Sequence, residues 1–135
     1  MVFFSGLFIV TGALEQTHIV DQLFALIRPV IGAGVGPLAI ITALLSNLIS
    51  NVPAVLLFRS IVPQLGNPVQ AWLTLAMAST LAGNLTLLGS VANLIIAETA
   101  RAQGVKLSFR EYLRAGVPIT LVTILVGVLW LSIVT

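Results

Sequence analysis

Cysteine is absent from these 135 residues, which excludes disulfides, thiolate metal sites and cysteine nucleophiles. A single histidine, His18, cannot hold a metal ion by itself. Charge is equally scarce, at 7% Asp, Glu, Lys and Arg. A soluble domain carries roughly 25%, so this composition describes an integral membrane chain. The net charge of +2 comes from six basic and four acidic residues. So few charges bear on membrane topology and exclude a nucleic-acid surface. The opening M-V-F-F-S-G-L-F-I-V has no basic lead, so it reads as the tail of a membrane helix and not as a signal peptide. No His-Glu-x-x-His, paired membrane aspartates, Ser-His or Ser-Lys arrangement lies at membrane depth, which argues against a membrane-embedded enzyme.

What is present is apolar surface: 59% hydrophobic residues and a mean hydropathy of +1.15. The first apolar stretch, 2–14, falls short of the roughly 20 residues a spanning helix needs. That shortfall implies a membrane helix that begins before Met1. In 16–28, Ile19, Val20, Leu23, Phe24, Leu26 and Ile27 share one helical face, and His18, Asp21, Gln22, Ala25 and Arg28 share the other. The pattern predicts an amphipathic helix along the membrane interface, with His18 solvated on its polar face. Pro29, glycines 32, 34 and 36 and Pro37 are expected to end it.

Two polar clusters interrupt the apolar run that follows. The first is S-N-L-I-S-N-V-P at 46–53, between short apolar limbs within 38–63. Pro53 withholds a backbone donor and disfavours helix at the residue before it. The segment is either a re-entrant hairpin with a polar tip or one kinked helix. Four polar residues plus a proline exceed what a kink needs, which favours the hairpin. After an aqueous turn, Q-L-G-N-P at 64–68, helix is expected from 69 to 103, broken by G-N-L-T-L-L-G-S-V-A-N at 83–93. Trp72 is an interfacial anchor for its start. Helix-breaking polar residues at membrane depth are tolerated only where they line a cavity or pack within protein. Asn51 and Asn84 sit at the centres of the two breaks and can both donate and accept. Ser50, Thr86, Ser90 and Asn93 are the next candidate substrate or ion contacts. Pro53, Gly83 and Gly89 are read as making the backbone breaks, the glycines through conformational freedom. Ser46 and Asn47 cap or kink a limb on this reading. The competing interpretation is that all these polar residues are interhelical glue.

Arg101, Lys106, Arg110 and Arg114 place four of the six basic residues in one stretch. By the positive-inside rule the loop 104–115 is cytoplasmic. Phe109, Tyr112 and Leu113 suggest a second short interfacial helix there, and 116–135 reads as one uninterrupted transmembrane helix with Trp130 near its end. Glu98 and Arg101, three apart, are expected to pair. Arg59 is expected to snorkel to the surface, with attraction of anions as its alternative. Parity then puts 64–68, the mouth of the hairpin and the C-terminus outside.

The motifs S-N-V-P at 50–53, G-N-L-T-L-L-G-S-V-A-N-L-I-I-A-E at 83–98 and F-R-E-Y-L-R-A-G at 109–116 resemble the C-terminal part of ion transporter superfamily members. The group is that of the ArsB-type arsenite permeases, NhaD-type antiporters and citrate-transporter-like proteins, and the likeness covers essentially the whole chain. Dicarboxylate and citrate carriers of the superfamily read Ser-Asn-Thr at the hairpin tip, where this sequence has Val52; that departure weighs against a dicarboxylate. The resemblance implies an all-α integral membrane fold, one half of an inverted-repeat transporter. Each half contributes a re-entrant hairpin and a discontinuous helix to a central site, and 16–28 and 106–116 match the interfacial arms. Only one repeat is visible in 1–135, so the site requires the other half of the transporter or a second chain; a homodimer also fits. The implied activity is secondary transport of a small inorganic or organic anion, arsenite- or carboxylate-like, by alternating access. No cofactor is implied. Half-helix N-termini at the tip would attract an anion, and freed carbonyls suit a coupling Na+, with H+ as the alternative. A Na+/H+ antiporter-like subunit and a non-transporting assembly subunit are the rival readings. Against the antiporter, neither break contains Asp or Glu.

Overall fold

The computed structural model describes residues 2–135; the side chains at 2–4, 7, 11, 14, 15, 18–21 and 23 lie outside the description, and with them the expected setting of His18. Among the described residues seven α-helices follow one another: α1 (Val2–Glu15), α2 (His18–Ile31), α3 (Val35–Ile49), α4 (Asn51–Leu57), α5 (Pro68–Ala82), α6 (Val91–Ala102) and α7 (Phe109–Val134). Single 3-10 turns occupy Phe58–Ser60, Val62–Gln64 and Leu87–Gly89. Among the described residues there is no strand.

The prolines act differently from the sequence expectation. Pro29 lies inside α2, which runs on to Ile31 and stops at Gly32–Gly34, where Gly34 takes φ 136°. Pro37 sits in the first turn of α3, where no intrahelical donor is lost. The expected break at 29–37 is thus narrowed to residues 32–34, and α3 begins before residue 38. On α2, Phe24 and Ile31 are buried and Ile27 half-buried, but Leu26 is 79% exposed, so it does not share their face.

A second correction concerns the C-terminal region. No short interfacial helix precedes a separate span; α7 is continuous from Phe109 to Val134. Its start is set by a capping box, in which Glu111 N–H donates to Ser108 Oγ at 3.2 Å and Ser108 N–H donates to Glu111 Oε2 at 2.9 Å. Gly116 carries no cap or break; it serves close packing instead, as described below. Among the described residues α7 is the one helix long and apolar enough to cross a membrane.

The directions of α3, α5 and α7 follow from their contacts. Val35 and Leu38 of α3 share a cavity with Asn67, which caps α5, and with Ala71 and Thr74 of α5, while Ser46 and Asn47 bond to Ser79 and Ala82. The two helices are therefore parallel, and 50–67 must double back between them. Leu57, Phe58, Ile61 and Val62 on this returning limb join Phe24, Ile31, Leu38, Ala71 and Leu75 in one buried cluster. Phe24 and Phe58 meet edge to face with centroids 5.2 Å apart. α7 runs antiparallel to α5: Gly116 faces the residues just after α5, Gly127 faces Met77, and Thr135 O accepts from Asn67 Nδ2 at 3.4 Å. Small residues of α3 and α5 (Ala39, Ala43, Ser46, Ala71, Ala78, Ala82) are all buried, as close helix packing requires.

Candidate functional site

The chain reverses at one residue. Ser50 closes α3 and opens α4 with φ 83° and ψ 158°, a region populated almost only by glycine. Its N–H still donates to Ser46 O at 2.9 Å, and its carbonyl accepts from Ala54 N–H at 3.1 Å. Both helices therefore keep their hydrogen bonds up to the reversal, and Ser50 itself is left exposed at the tip. Pro53 is buried in the first turn of α4, where its missing N–H removes no helical bond.

The second interruption begins where α5 ends. Its last turn tightens: the N–H groups of Gly83, Asn84 and Leu85 donate to Thr80, Leu81 and Ala82 O at 3.2, 3.1 and 2.9 Å. That i→i+3 pattern deprives Ser79 O of its usual i+4 donor. Ser46 supplies one from the neighbouring helix, its Oγ lying 3.0 Å from Ser79 O and 2.6 Å from Asn51 Oδ1. A hydroxyl has one proton, so these two acceptors compete for it. Asn47 works on both sides of the break: its Nδ2 donates to Ala82 O, and its Oδ1 accepts from Thr86 Oγ1 at 2.7 Å.

Asn93 closes the loop from the far side, with Nδ2 donating to Gly83 O at 2.8 Å and Thr86 O at 3.3 Å. Ser90 caps α6, its Oγ accepting from Ala92 N–H at 3.2 Å. The glycines here are not needed for unusual backbone angles, contrary to the sequence reading. Gly83 has an ordinary helical φ of −58°, and among described glycines only Gly34 and Gly104 have positive φ. Gly89 is required by space: a Cβ there would sit 2.9 Å from Asn47 Oδ1 and 3.1 Å from Gly83 O.

Thus Ser46, Asn47, Asn51, Thr86 and Asn93 belong to one polar junction linking α3, α5 and the start of α6. Ser50 is exposed beside it. Asn84 stands elsewhere. Its side chain is exposed and lines a cleft of about 340 Å³ with Leu107, Glu111, Tyr112, Ala115, Gly116 and Ile119. Its carbonyl faces α7 so closely that a Cβ on Gly116 would lie 2.5 Å from it. Asn51 and Asn84, the two centres expected from the sequence, have different neighbours: Asn51 accepts from Ser46 in the junction, and Asn84 lines the cleft against α7. Ser46 and Asn47 bind the junction, a role the sequence reading did not assign them. Spacing gave no signal for this, since Asn47 lies in the last turn of α3 and Asn51 opens α4 across the reversal at Ser50. Gly116 had no signal either.

On α7 the Thr120 hydroxyl is buried and has no hydrogen-bond partner among the described residues. Other helical threonines, including Thr42, Thr74 and Thr123, donate to the carbonyl four residues back at 2.7–2.8 Å. Away from the junction, Arg59 is exposed on its 3-10 turn. Arg101 Nη1 lies 3.9 Å from Glu98 Oε2, an exposed i,i+3 pair.

The junction occupies the same sequence that matches known transporters. The citrate transporter family matches residues 1–82, from α1 to the end of α5. The chain belongs to the citrate transporter family. It is similar to a silicon efflux transporter of Oryza sativa subsp. japonica, 38% identical over 95% of this chain and 29% of that protein. It is also similar to a 46 kDa membrane protein of Mycobacterium leprae, 35% identical over 97% of this chain and 34% of that protein. A third relative is the P protein of Sus scrofa, at 32% over 98% of this chain and 18% of its own length. The chain therefore spans no more than about a third of these relatives. No solved structure matches. Membership in this family makes the chain part of a membrane transporter group, and its helical architecture agrees with that.

Proposed function

We propose that this chain forms half of the substrate site of a secondary transporter that moves a small inorganic or organic anion by alternating access. The observation that carries the reading is the joining of two helix breaks by the Thr86–Asn47 bond. In a chain of the citrate transporter family, that bond couples a doubled-back helical pair to a discontinuous helix. Helices broken at membrane depth are the usual site builders of such transporters. On this reading 38–63 is a re-entrant hairpin with Ser50 at its tip, and the α5–α6 interruption is the unwound partner.

The hydrogen bonds support a division of the candidates by role. Asn47, Thr86, Asn93 and Ser46 spend their polar groups on one another and on helix-end carbonyls, so they hold the two breaks together. Ser50 and Asn84 are exposed, and Asn51 engages only its Oδ1; these three are the substrate contacts. Ser90 holds the N-terminus of α6, and that helix end favours negative charge. The coupling ion, Na+ or H+, is a further part of the proposal, with break carbonyls as ligands for Na+.

The orientation follows the basic residues. The end carrying Arg101, Lys106, Arg110 and Arg114 is cytoplasmic. The opposite end, where Asn67 meets Thr135, is outside. Trp72 and Trp130, both exposed, lie near the outer ends of α5 and α7, as an interfacial belt demands. The relatives are longer, this chain covering 18% to 34% of them, which supports a site completed by another half, either a further segment or a second chain.

Flux into proteoliposomes containing this chain with its complementary half tests the reading, with citrate, arsenite and silicon oxyacids as trial solutes. Movement of at least one, lost in Asn51→Ala and Asn84→Ala variants that still fold, is the expected result. Absence of any flux in the wild type would overturn it.

A further inference from the structure

None of the residues of α6 is buried. One of its faces nevertheless forms a wall. Leu94, Ala97, Glu98 and Arg101 recur at helical spacing, and with Leu87, Lys106 and Leu107 they line an open groove of about 570 Å³. The groove is graded. Leu87 and Leu94 floor its inner end beside the helix break, and Arg101 and Lys106 stand at its outer end, where α6 gives way to the loop before α7. Among the described lining residues Glu98 is the one acid, 3.9 Å from Arg101, and with Lys106 beside them the outer end carries one positive charge in excess.

An apolar floor with a cation at the surface end is the polarity order of a phospholipid leaflet read from tail to headgroup. Water suits the outer end only, and a free phosphate would leave the leucine floor unused. An acidic peptide would meet the same mismatch. We infer that this groove binds one anionic phospholipid of the cytoplasmic leaflet, its phosphate at Lys106 and Arg101 and an acyl chain against Leu94, Ala97 and Leu87. Basic pockets beside transmembrane helices on the cytoplasmic face hold acidic lipid headgroups in this way. The site lies beyond the hairpin–break junction, and it rests on the proposed orientation of the basic end toward the cytoplasm.

The test uses the transporter with its complementary half, purified in detergent and then placed in vesicles. Bound phosphatidylglycerol is counted by native mass spectrometry against phosphatidylcholine, and flux is followed in vesicles of each composition. Retention of phosphatidylglycerol is expected, weakened about fivefold in Lys106→Gln, as removal of one basic residue near an anionic surface implies. Ala97→Trp fills the groove without altering charge and is expected to lose the lipid as well. Equal retention of both lipids would overturn the site. So would loss in Lys106→Gln but not in Ala97→Trp, since that pattern describes diffuse attraction to the surface. Binding of phosphatidylglycerol in folded Ala97→Trp would overturn it too, as would evidence that the other half covers the groove. Flux in pure phosphatidylcholine with no lipid preference would sink this inference and leave the transporter reading standing.

Discussion

Thr86 Oγ1 donates to Asn47 Oδ1 across 2.7 Å, joining the loop after α5 to the last turn of α3. The two residues are 39 positions apart. Through this pair the α3–α4 reversal and the α5–α6 interruption are tied together, because Asn47 also holds the Ala82 carbonyl at the end of α5. A unit joined in that way is what an alternating-access carrier would move past a stationary scaffold.

Removing the Thr86 hydroxyl leaves Asn47 Oδ1 without its donor in a part-buried setting. Thr86→Val is therefore expected to lower stability by about 1–3 kcal/mol. Unfolding in detergent checks this, with Thr86→Ser as the rescue that restores the donor. Equal stability of Thr86→Val and wild type would dissolve the junction as described.

Gly116 and Gly127 sit on the same helix and face different neighbours. A Cβ at 116 would meet the backbone carbonyls of Asn84 and Leu85 at 2.5 and 3.0 Å, whereas one at 127 would meet the flexible side chain of Met77. Gly116→Ala should destabilise by about 1–3 kcal/mol, the cost of overpacking. Gly127→Ala should be tolerated, as Met77 can change rotamer. Thermal unfolding of the pair reads the difference, and the reverse order would refute the close approach of α7 to the break.

Ser50 is exposed, and its φ of 83° belongs to a glycine region. Ser50→Gly should relieve about 1 kcal/mol of backbone strain. If the hydroxyl contacts substrate, flux should fall in the same variant. A more stable protein with reduced transport is the expected combination; unchanged stability would remove the strain argument.

Thr120 carries a buried hydroxyl with no partner among the described residues. Thr120→Val keeps the shape and removes the unsatisfied group, so stability should rise by about 1 kcal/mol. A loss of stability on chemical denaturation would show that this hydroxyl is in use.

Much of the element order was legible in the residues. Ser, Asn, Gly and Pro clusters marked both interruptions because an apolar helix has no local use for them, and α5 and α6 lie on either side of the second one. Element ends were read less well. Pro29 and Pro37 looked like breakers, yet one rides within α2 and the other needs no donor in the first turn of α3. Gly116 looked like the start of a span, but the capping box at Ser108 and Glu111 had already begun the helix. Which polar residues are spent on structure depended on partners tens of residues away, and spacing along one helix does not encode those.

The sequence by itself determined the membrane character, the all-helical class, the two polar interruptions and the basic end of the chain. These follow from composition and local propensity, which act residue by residue. Only the tertiary structure decided that α3 and α5 run parallel, that Asn47 and not Asn84 ties the breaks together, and that Gly89 and Gly116 exist for close approach. Those outcomes depend on which helix faces which, and that is settled by packing the small-residue faces and by supplying donors to the carbonyls that broken helices leave free.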